Sequence, residues 1–330
     1  MQSPRGVPNP WRGVLAAGFL TLLFGAAAPA VAAPRCPQDA EPPPVSLAEP
    51  VTVESFTDAL VQQLDAVGEE VVRPAWEQFT ARRGIDPNTP GLSGDFRRLR
   101  LLFEATRDGG WWRLRWDITN QEPSSQRIFT QWEQGGSPLA LGESSAVAEC
   151  DEVSALLAVL GRRIGVRGLG LFYPTWNHTI VAWAPPQLVK QHQRVVLVPT
   201  TQIFLGCDAG FDATTFRTRL TNIEEYPRWD VRPSRPMSAT MARYLLEQVR
   251  AYAGARLELS ELMRATRAFL MGSSVGACNE HRQALATSLA EGLTCGDRRA
   301  LRHFASEELA SPAQSPEATL AMLGWRYERQ

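Results

Sequence analysis

The sequence predicts an α+β protein in which helices flank a small antiparallel sheet. Apolar residues recur at intervals of three and four between Cys150 and Ile164, which is the spacing of one helical face. Apolar runs typical of strands follow at 166–173, 178–185 and 193–205. Helical periodicity then returns in five consecutive segments after residue 238.

The composition is that of a globular protein without a polyanionic partner. The chain has 330 residues, of which 44% are hydrophobic and 21% are charged, so it can bury a full-sized core. Its net charge is -1 and its sequence pI is about 6.5. Because it has no basic excess to neutralise a run of phosphates, we do not expect it to bind nucleic acid.

Residues 1–32 have the pattern of a secretory signal peptide. Arg5 and Arg12 precede an apolar stretch at 14–28, and Ala30 and Ala32 have the spacing of a cleavage site. The alternative is a permanent anchor, but the apolar stretch is shorter than the ~20 residues that cross a bilayer. We therefore expect a secreted or periplasmic protein with no stable membrane span after cleavage.

The segment 33–94 is predicted to contain a Pro-rich extended lead-in and an N-terminal helix. Apolar residues recur at helical spacing from Phe56 to Phe79, with Ser55 and Asp58 as the cap and the end near Gly84. Residues 84–94 have the composition of a loop.

The next segment, 95–206, is predicted to form the core of the protein. A helix is expected over 95–108, ended by Gly109 and Gly110. The aromatic stretch 111–120 fits either a strand or a buried helix. We expect its tryptophans to pack in the core, with a substrate groove or an indole N–H for an oxyanion as the alternative: Trp111, Trp112, Trp116 and, further on, Trp132.

Cys150 and His178 are the candidate catalytic residues. Cys150 lies at the start of its predicted helix, where free N–H groups and the helix dipole stabilise a thiolate, although three neighbouring acidic residues oppose it. His178 opens the strand 178–185 and shares a face with Ile180 and Ala182. An imidazole on a strand beside the helix start could take the thiol proton.

These residues carry a resemblance to a known family. The segments ECDEVSALLAVLGRRIGVRG, NHTIVAWAP and RVVLVPTTQ resemble the core of the transglutaminase-like superfamily, a branch of the papain-like thiol enzymes, over roughly residues 130–205. The resemblance implies a helix packed on an antiparallel sheet, with Cys150 as nucleophile and His178 as base. It also implies a thioester intermediate, a peptide or protein substrate and no cofactor. We favour hydrolysis, as in a peptidase or amidase, over transfer to an amine.

One position departs from the family pattern. The family has an Asp just before Pro-Thr, which orients the histidine, whereas this chain has Val198. Asn177, Thr200 or Gln202 could orient the imidazole instead. The alternative interpretation is a catalytically inactive binding module that keeps the fold.

The five cysteines leave at least one thiol unpaired. We expect Cys278 to pair with Cys295 across a helical segment and Cys36 to pair with Cys207, which leaves Cys150 free. The rival is a metal site formed by Cys278, Cys295 and two histidines, His281 and His303, but export favours disulfides, so we expect no metal.

The segment 207–330 is predicted to be a loop followed by a helical subdomain. Residues 207–238 are polar and contain several prolines, so we expect a long surface excursion. The helices after it have no chemical motif. They could cover one side of the core or bind a protein partner.

Overall fold

Helices and a small antiparallel sheet form the fold, which confirms the predicted α+β class. The computed structural model describes Cys36 and residues 42–67, 69–120, 122–135, 139–175, 177–189, 195–201, 210–213, 223–226, 230–273, 279–310 and 315–325. The described helices are α1 (Val53–Ala66), α2 (Glu69–Arg83), α3 (Leu92–Thr106), α4 (Gln126–Gln134), α5 (Cys150–Arg163), α6 (Pro186–Val189), α7 (Ala239–Tyr252), α8 (Leu257–Leu270), α9 (Asn279–Ala290), α10 (Cys295–Glu308) and α11 (Pro316–Trp325). The described strands are β1 (Leu114–Trp116), β2 (Ala146–Ala148), β3 (Leu169–Thr175), β4 (His178–Trp183), β5 (Val196–Val198) and β6 (Ile223–Glu225).

The first helical region consists of two helices. The periodic run breaks at Val67, whose backbone is extended, and α2 begins at Glu69. The predicted cap is also corrected. Thr52 is the N-cap, and its hydroxyl accepts from the Ser55 N–H while the Ser55 hydroxyl accepts from the Thr52 N–H. Such a reciprocal pair satisfies two N–H groups that the first turn leaves open.

Helix α3 begins three residues before the predicted start, because Gly91 takes a left-handed backbone (φ 75°) and starts the helix there. The helix ends at Thr106, before the Gly-Gly pair. The aromatic stretch after it contains a strand, β1, which pairs in parallel with β2 and thereby decides between the two predicted alternatives.

The main sheet has the order β5-β4-β3-β6 with antiparallel neighbours, and α5 packs on it. Its two faces differ as the alternation in β4 predicts. Val181 and Trp183 join the large hydrophobic core, while Ile180 and Ala182 join a smaller cluster on the other face.

The excursion at 207–238 is partly corrected by the structure. Strand β6 pairs with Gly170–Phe172 of β3 and completes the sheet. Asp212 is 4% exposed and forms ion pairs with Arg82 and Arg83. This polar segment therefore contributes to the folded core, because long-range pairing and charge compensation bury residues that its composition would leave in water.

The five C-terminal helices form as predicted and share the large core with α1 to α5. Arg267 of α8 and Glu308 of α10 are fully buried and form an ion pair, with 2.7 Å between Nε and Oε1. The Arg267 guanidinium also donates to the backbone oxygens of Gly109 and Gly110. These bonds tie the C-terminal helices to the turn that follows α3.

A disulfide joins Cys36 to Cys295, with 5.4 Å between their Cα atoms. Both predicted pairings, Cys36–Cys207 and Cys278–Cys295, are therefore corrected. The helical spacing around Cys295 could not reveal a partner 259 residues away. Cys207 and Cys278 lie outside the described residues, as does the predicted signal peptide at 1–32. Among the described helices, none is both long and apolar enough to cross a bilayer.

Candidate functional site

Cys150 is the first residue of α5, directly after β2 and the N-cap residue Glu149. Its thiol is free and its side chain is 3% exposed. The predicted position at the helix start is confirmed. The apolar face of α5 places the helix against the sheet, and this packing buries the thiol.

Two acidic neighbours of Cys150 serve the local fold. The Glu149 carboxylate caps the helix and accepts from the N–H groups of Thr119 and Asn120 at 3.0 and 2.9 Å. The Glu152 carboxylate accepts from the Glu149 N–H and the Thr119 hydroxyl, both at 2.8 Å. These bonds hold the segment after β1 against the start of α5, and with it the residues that flank the thiol.

A hydroxyl cluster joins the thiol helix to the strand that His178 opens. Ser154 lies one turn after Cys150, and its Oγ donates to the Thr179 backbone oxygen at 3.1 Å. The same Oγ lies 2.8 Å from the Thr200 hydroxyl. A hydrogen bond from the Thr179 backbone N–H lowers the pKa of the Cys150 thiol. Cys150 is therefore beside the residue that follows His178.

The thiol is nevertheless held in its neutral form. Burial raises the pKa of Cys150 to about 11, and the charges of Asp151 and Glu149 add to the rise. The N–H groups of Thr179 and Asp151 oppose it only in part. The dipole of α5 therefore does not outweigh burial and the acidic neighbours.

His178 is also neutral at physiological pH. Its side chain is 1% exposed, and burial lowers its pKa to about 4. Burial has this effect because a low-dielectric surrounding disfavours the imidazolium. At neutral pH Cys150 is therefore a thiol and His178 an imidazole, and neither side chain carries a charge.

Asp151 is the third titratable group at this site. Burial raises its pKa to about 6, and the charges of Glu149 and Glu152 raise it further, against the Glu152 N–H, which lowers it. Its carboxylate therefore gains its charge close to neutral pH.

The residues proposed to orient His178 lie in different places. Asn177 is exposed, and its Oδ1 accepts from the Thr175 hydroxyl at 2.9 Å. Thr200 is buried and bonded to Ser154. Gln202 lies outside the described residues. Val198 is fully buried opposite Val181, three residues along β4 from His178.

If the β4–β5 register is extended beyond its last pair, Val181 and Val198, it brings Thr201 level with His178. Val181 pairs with Val198, and the contact of Ser154 with both Thr179 and Thr200 agrees with the same register two residues further on. Thr201 is fully buried, and within the described part of the chain its hydroxyl has no hydrogen-bond partner. Sequence reasoning missed this residue because the register is set by pairing and not by the local pattern.

Of the four upstream tryptophans, Trp111, Trp112 and Trp132 are buried in the core, as expected, whereas Trp116 is not. The indole N–H groups of Trp112 and Trp132 donate to the Leu245 backbone oxygen and the Ser145 hydroxyl, and Trp111 stacks on Tyr252. Trp116 is half-buried on β1, opposite Ala148. Among the described residues its buried Nε1 has no acceptor.

One proposed ligand of the alternative metal site is already engaged in a disulfide. Cys295 is bonded to Cys36, while Cys278 and the side chain of His281 lie outside what the structure describes. The Nε2 of His303 lies 3.4 Å from a carboxylate oxygen of Glu307. The described residues contain no group of three or more His, Cys, Asp or Glu side chains that could hold a metal ion.

No family model, curated protein or solved structure matches the chain.

Proposed function

We propose that this chain is an exported thiol enzyme of transglutaminase-like type that cleaves amide bonds through a thioester. Cys150 is the nucleophile and His178 the base. The observation that carries the proposal is the hydrogen bond from Ser154 of α5 to the Thr179 backbone oxygen, because it joins the helix of the free thiol to the strand of the imidazole. The predicted signal peptide and the disulfide agree with export.

The proposed reaction starts from the neutral pair. With a His178 pKa of about 4, the imidazole is unprotonated at pH 7. The Cys150 proton passes to His178 as the sulfur attacks the carbonyl carbon, and the protonated imidazole then gives that proton to the leaving amine. The thioester is cleaved by water, which returns the thiol and releases the acid. Water is the acceptor we favour, and an amine would give cross-linking instead.

Two donors could stabilise the oxyanion of the tetrahedral intermediate. The Cys150 N–H, at the first position of α5, has no acceptor among the described residues. The Trp116 indole N–H is on β1, which pairs with the strand that leads into Cys150. Donors of this kind contribute strongly to acyl transfer because they face the charge that develops in the transition state.

Acylation of Cys150 by an activated ester tests the proposal. The full chain would be exposed to p-nitrophenyl acetate, quenched in acid and mapped by mass spectrometry. We expect an acetyl group on Cys150 that forms in the native protein at least tenfold faster than in His178→Gln. Equal rates in the two proteins would count against His178 as the base.

The second candidate is a binding module without catalytic activity. The observation in its favour is electrostatic: burial leaves both members of the pair uncharged, and the position of the family's acid is the buried Val198. A native protein that shows no acylation of Cys150 at pH 7 or pH 9 would favour this candidate.

A further inference from the structure

A cavity of about 360 Å³ lies between α2 and α3. This volume is within the range of pockets that bind small organic molecules. The lining combines two arginines with an apolar wall and consists of Glu69, Val72, Arg73, Trp76, Pro87, Ser93, Gly94, Phe96 and Arg97.

Two arginines bring positive charge to the cavity, and the described carboxylates form an ion pair with only one of them, Arg97. Arg73 is exposed and forms no hydrogen bond or ion pair with any described residue. Arg97 donates from Nη2 to Asp65 at 3.1 Å, but Asp65 also accepts two bonds from Arg98, at 2.9 and 2.6 Å. One carboxylate thus serves two guanidinium groups. The Arg97 Nε is buried and has no acceptor in the described part of the chain.

The start of α3 adds neutral donors to the same cavity. Its N-cap, Gly91, has no side chain to accept a hydrogen bond. The N–H groups of Ser93 and Gly94, both in the lining, have no acceptor among the described residues. Open N–H groups and the positive end of a helix dipole favour an anion.

The lining of the cavity also contains two aromatic rings, those of Trp76 and Phe96. The Trp76 ring packs against Phe96 and Phe79, with centroid distances of 5.2 and 5.8 Å. Phe96 and Phe79 are buried, so they hold the indole in place. A planar group can stack on such a wall.

We propose that this cavity binds a small organic anion, with its carboxylate or phosphate at Arg73 and Arg97 and its planar body against Trp76. A guanidinium suits this role because its planar donors match the oxygens of either group. Glu69 is the one acidic residue of the lining and weakens anion binding. The site is independent of Cys150 and of the proposed reaction.

Calorimetric titration of the full chain with benzoate, phenyl phosphate and inorganic phosphate tests the proposal. We expect at least one of the two aromatic anions to bind at least tenfold more tightly than inorganic phosphate. Arg73→Gln and Arg97→Gln should each weaken binding roughly tenfold or more, because each removes a charge-assisted donor. Glu69→Gln should strengthen it.

Two further variants separate binding from folding. A Cβ at Gly94 meets no atom within 4 Å, so Gly94→Leu should fill the cavity, abolish binding and keep the fold. Arg302→Gln is the matched control, since Arg302 is an exposed helical arginine outside the lining without an ion pair among the described residues. It should leave the affinity unchanged. The proposal is overturned if neither aromatic anion binds, or if Arg73→Gln and Gly94→Leu bind them as the parent does.

Discussion

The Ser154 hydroxyl donates to the Thr179 backbone oxygen, and thereby bonds the helix of Cys150 to the strand of His178. Both ends of this bond are buried, and the same hydroxyl meets Thr200 at 2.8 Å. Removing it leaves buried polar groups without a partner, which costs more than the bond itself contributes.

Ser154→Ala should therefore lower the free energy of unfolding by about 1–3 kcal/mol and slow the acylation of Cys150. Urea unfolding measures the first effect. Ser260→Ala is the matched control, because the Ser260 hydroxyl is buried and has no partner among the described residues. If the two variants lose the same stability, the Ser154 bond does not hold the site together.

The alkylation of Cys150 should depend steeply on pH. Because its thiol pKa is about 11, the rate with iodoacetamide should be low at pH 7 and rise up to about pH 11. Mass mapping at each pH identifies the alkylated residue, while Cys36 and Cys295 should stay unmodified without a reductant. A rate that levels off near pH 7 would show that the thiol is not held neutral.

Asp151→Asn should lower the thiol pKa of Cys150 and speed its alkylation at pH 8. After burial, the charge of Asp151 is the largest cause that raises this pKa. The carboxylate is charged above its own pKa of about 6, so the difference between variant and parent should appear only above that pH. Asp117→Asn is the control, because Asp117 has an exposed side chain and is not among the charges that raise the Cys150 pKa. A control that shifts the profile equally would rule out a local charge effect.

His178 should make the protein less stable in acid. Its pKa is lowered from 6.5 to about 4 in the folded chain, so the unfolded chain takes up its proton first as the pH falls. Stability is unaffected above pH 6.5 and decreases between pH 6.5 and 4. His178→Gln should remove this contribution, which is measured as the difference in urea midpoints between pH 7 and 4.5. Asp151 titrates in the same window with the opposite sign, but it is present in both proteins. An unchanged difference would mean that His178 is not buried as a neutral base.

A carboxylate introduced at position 201, and not one at position 198, should stabilise the protonated form of His178. Val198→Asp places a carboxylate in the large core opposite Val181, so we expect a loss of several kcal/mol or an unfolded protein. Thr201→Asp places it at the position that the extended register brings level with His178, and should raise the His178 pKa, observed by NMR titration of the imidazole. Thr201→Asn is the neutral control. A raised pKa in the Asn variant as well would attribute the change to packing and not to charge.

The sequence by itself determines the local elements of the site. The three- and four-residue spacing after Cys150 specifies α5 from its first residue, because a helix is built from contacts within a few positions. Alternation in 178–183 specifies the two faces of β4. Cys150 is free as expected, although the disulfide pairings from which that expectation followed are wrong.

Only the tertiary structure decided the features that depend on residues far apart in the sequence. The register of β5 on β4 places Val198 opposite Val181, and a shift of one residue would have reversed the faces. The Cys36–Cys295 disulfide and the pairing of β6 with β3 join segments that no local pattern relates. The thiol pKa likewise follows from burial, which exceeds the effect of the helix start on which the sequence argument depended. Local periodicity encodes which face of an element is apolar, whereas its neighbours in space are set by the packing of the whole chain.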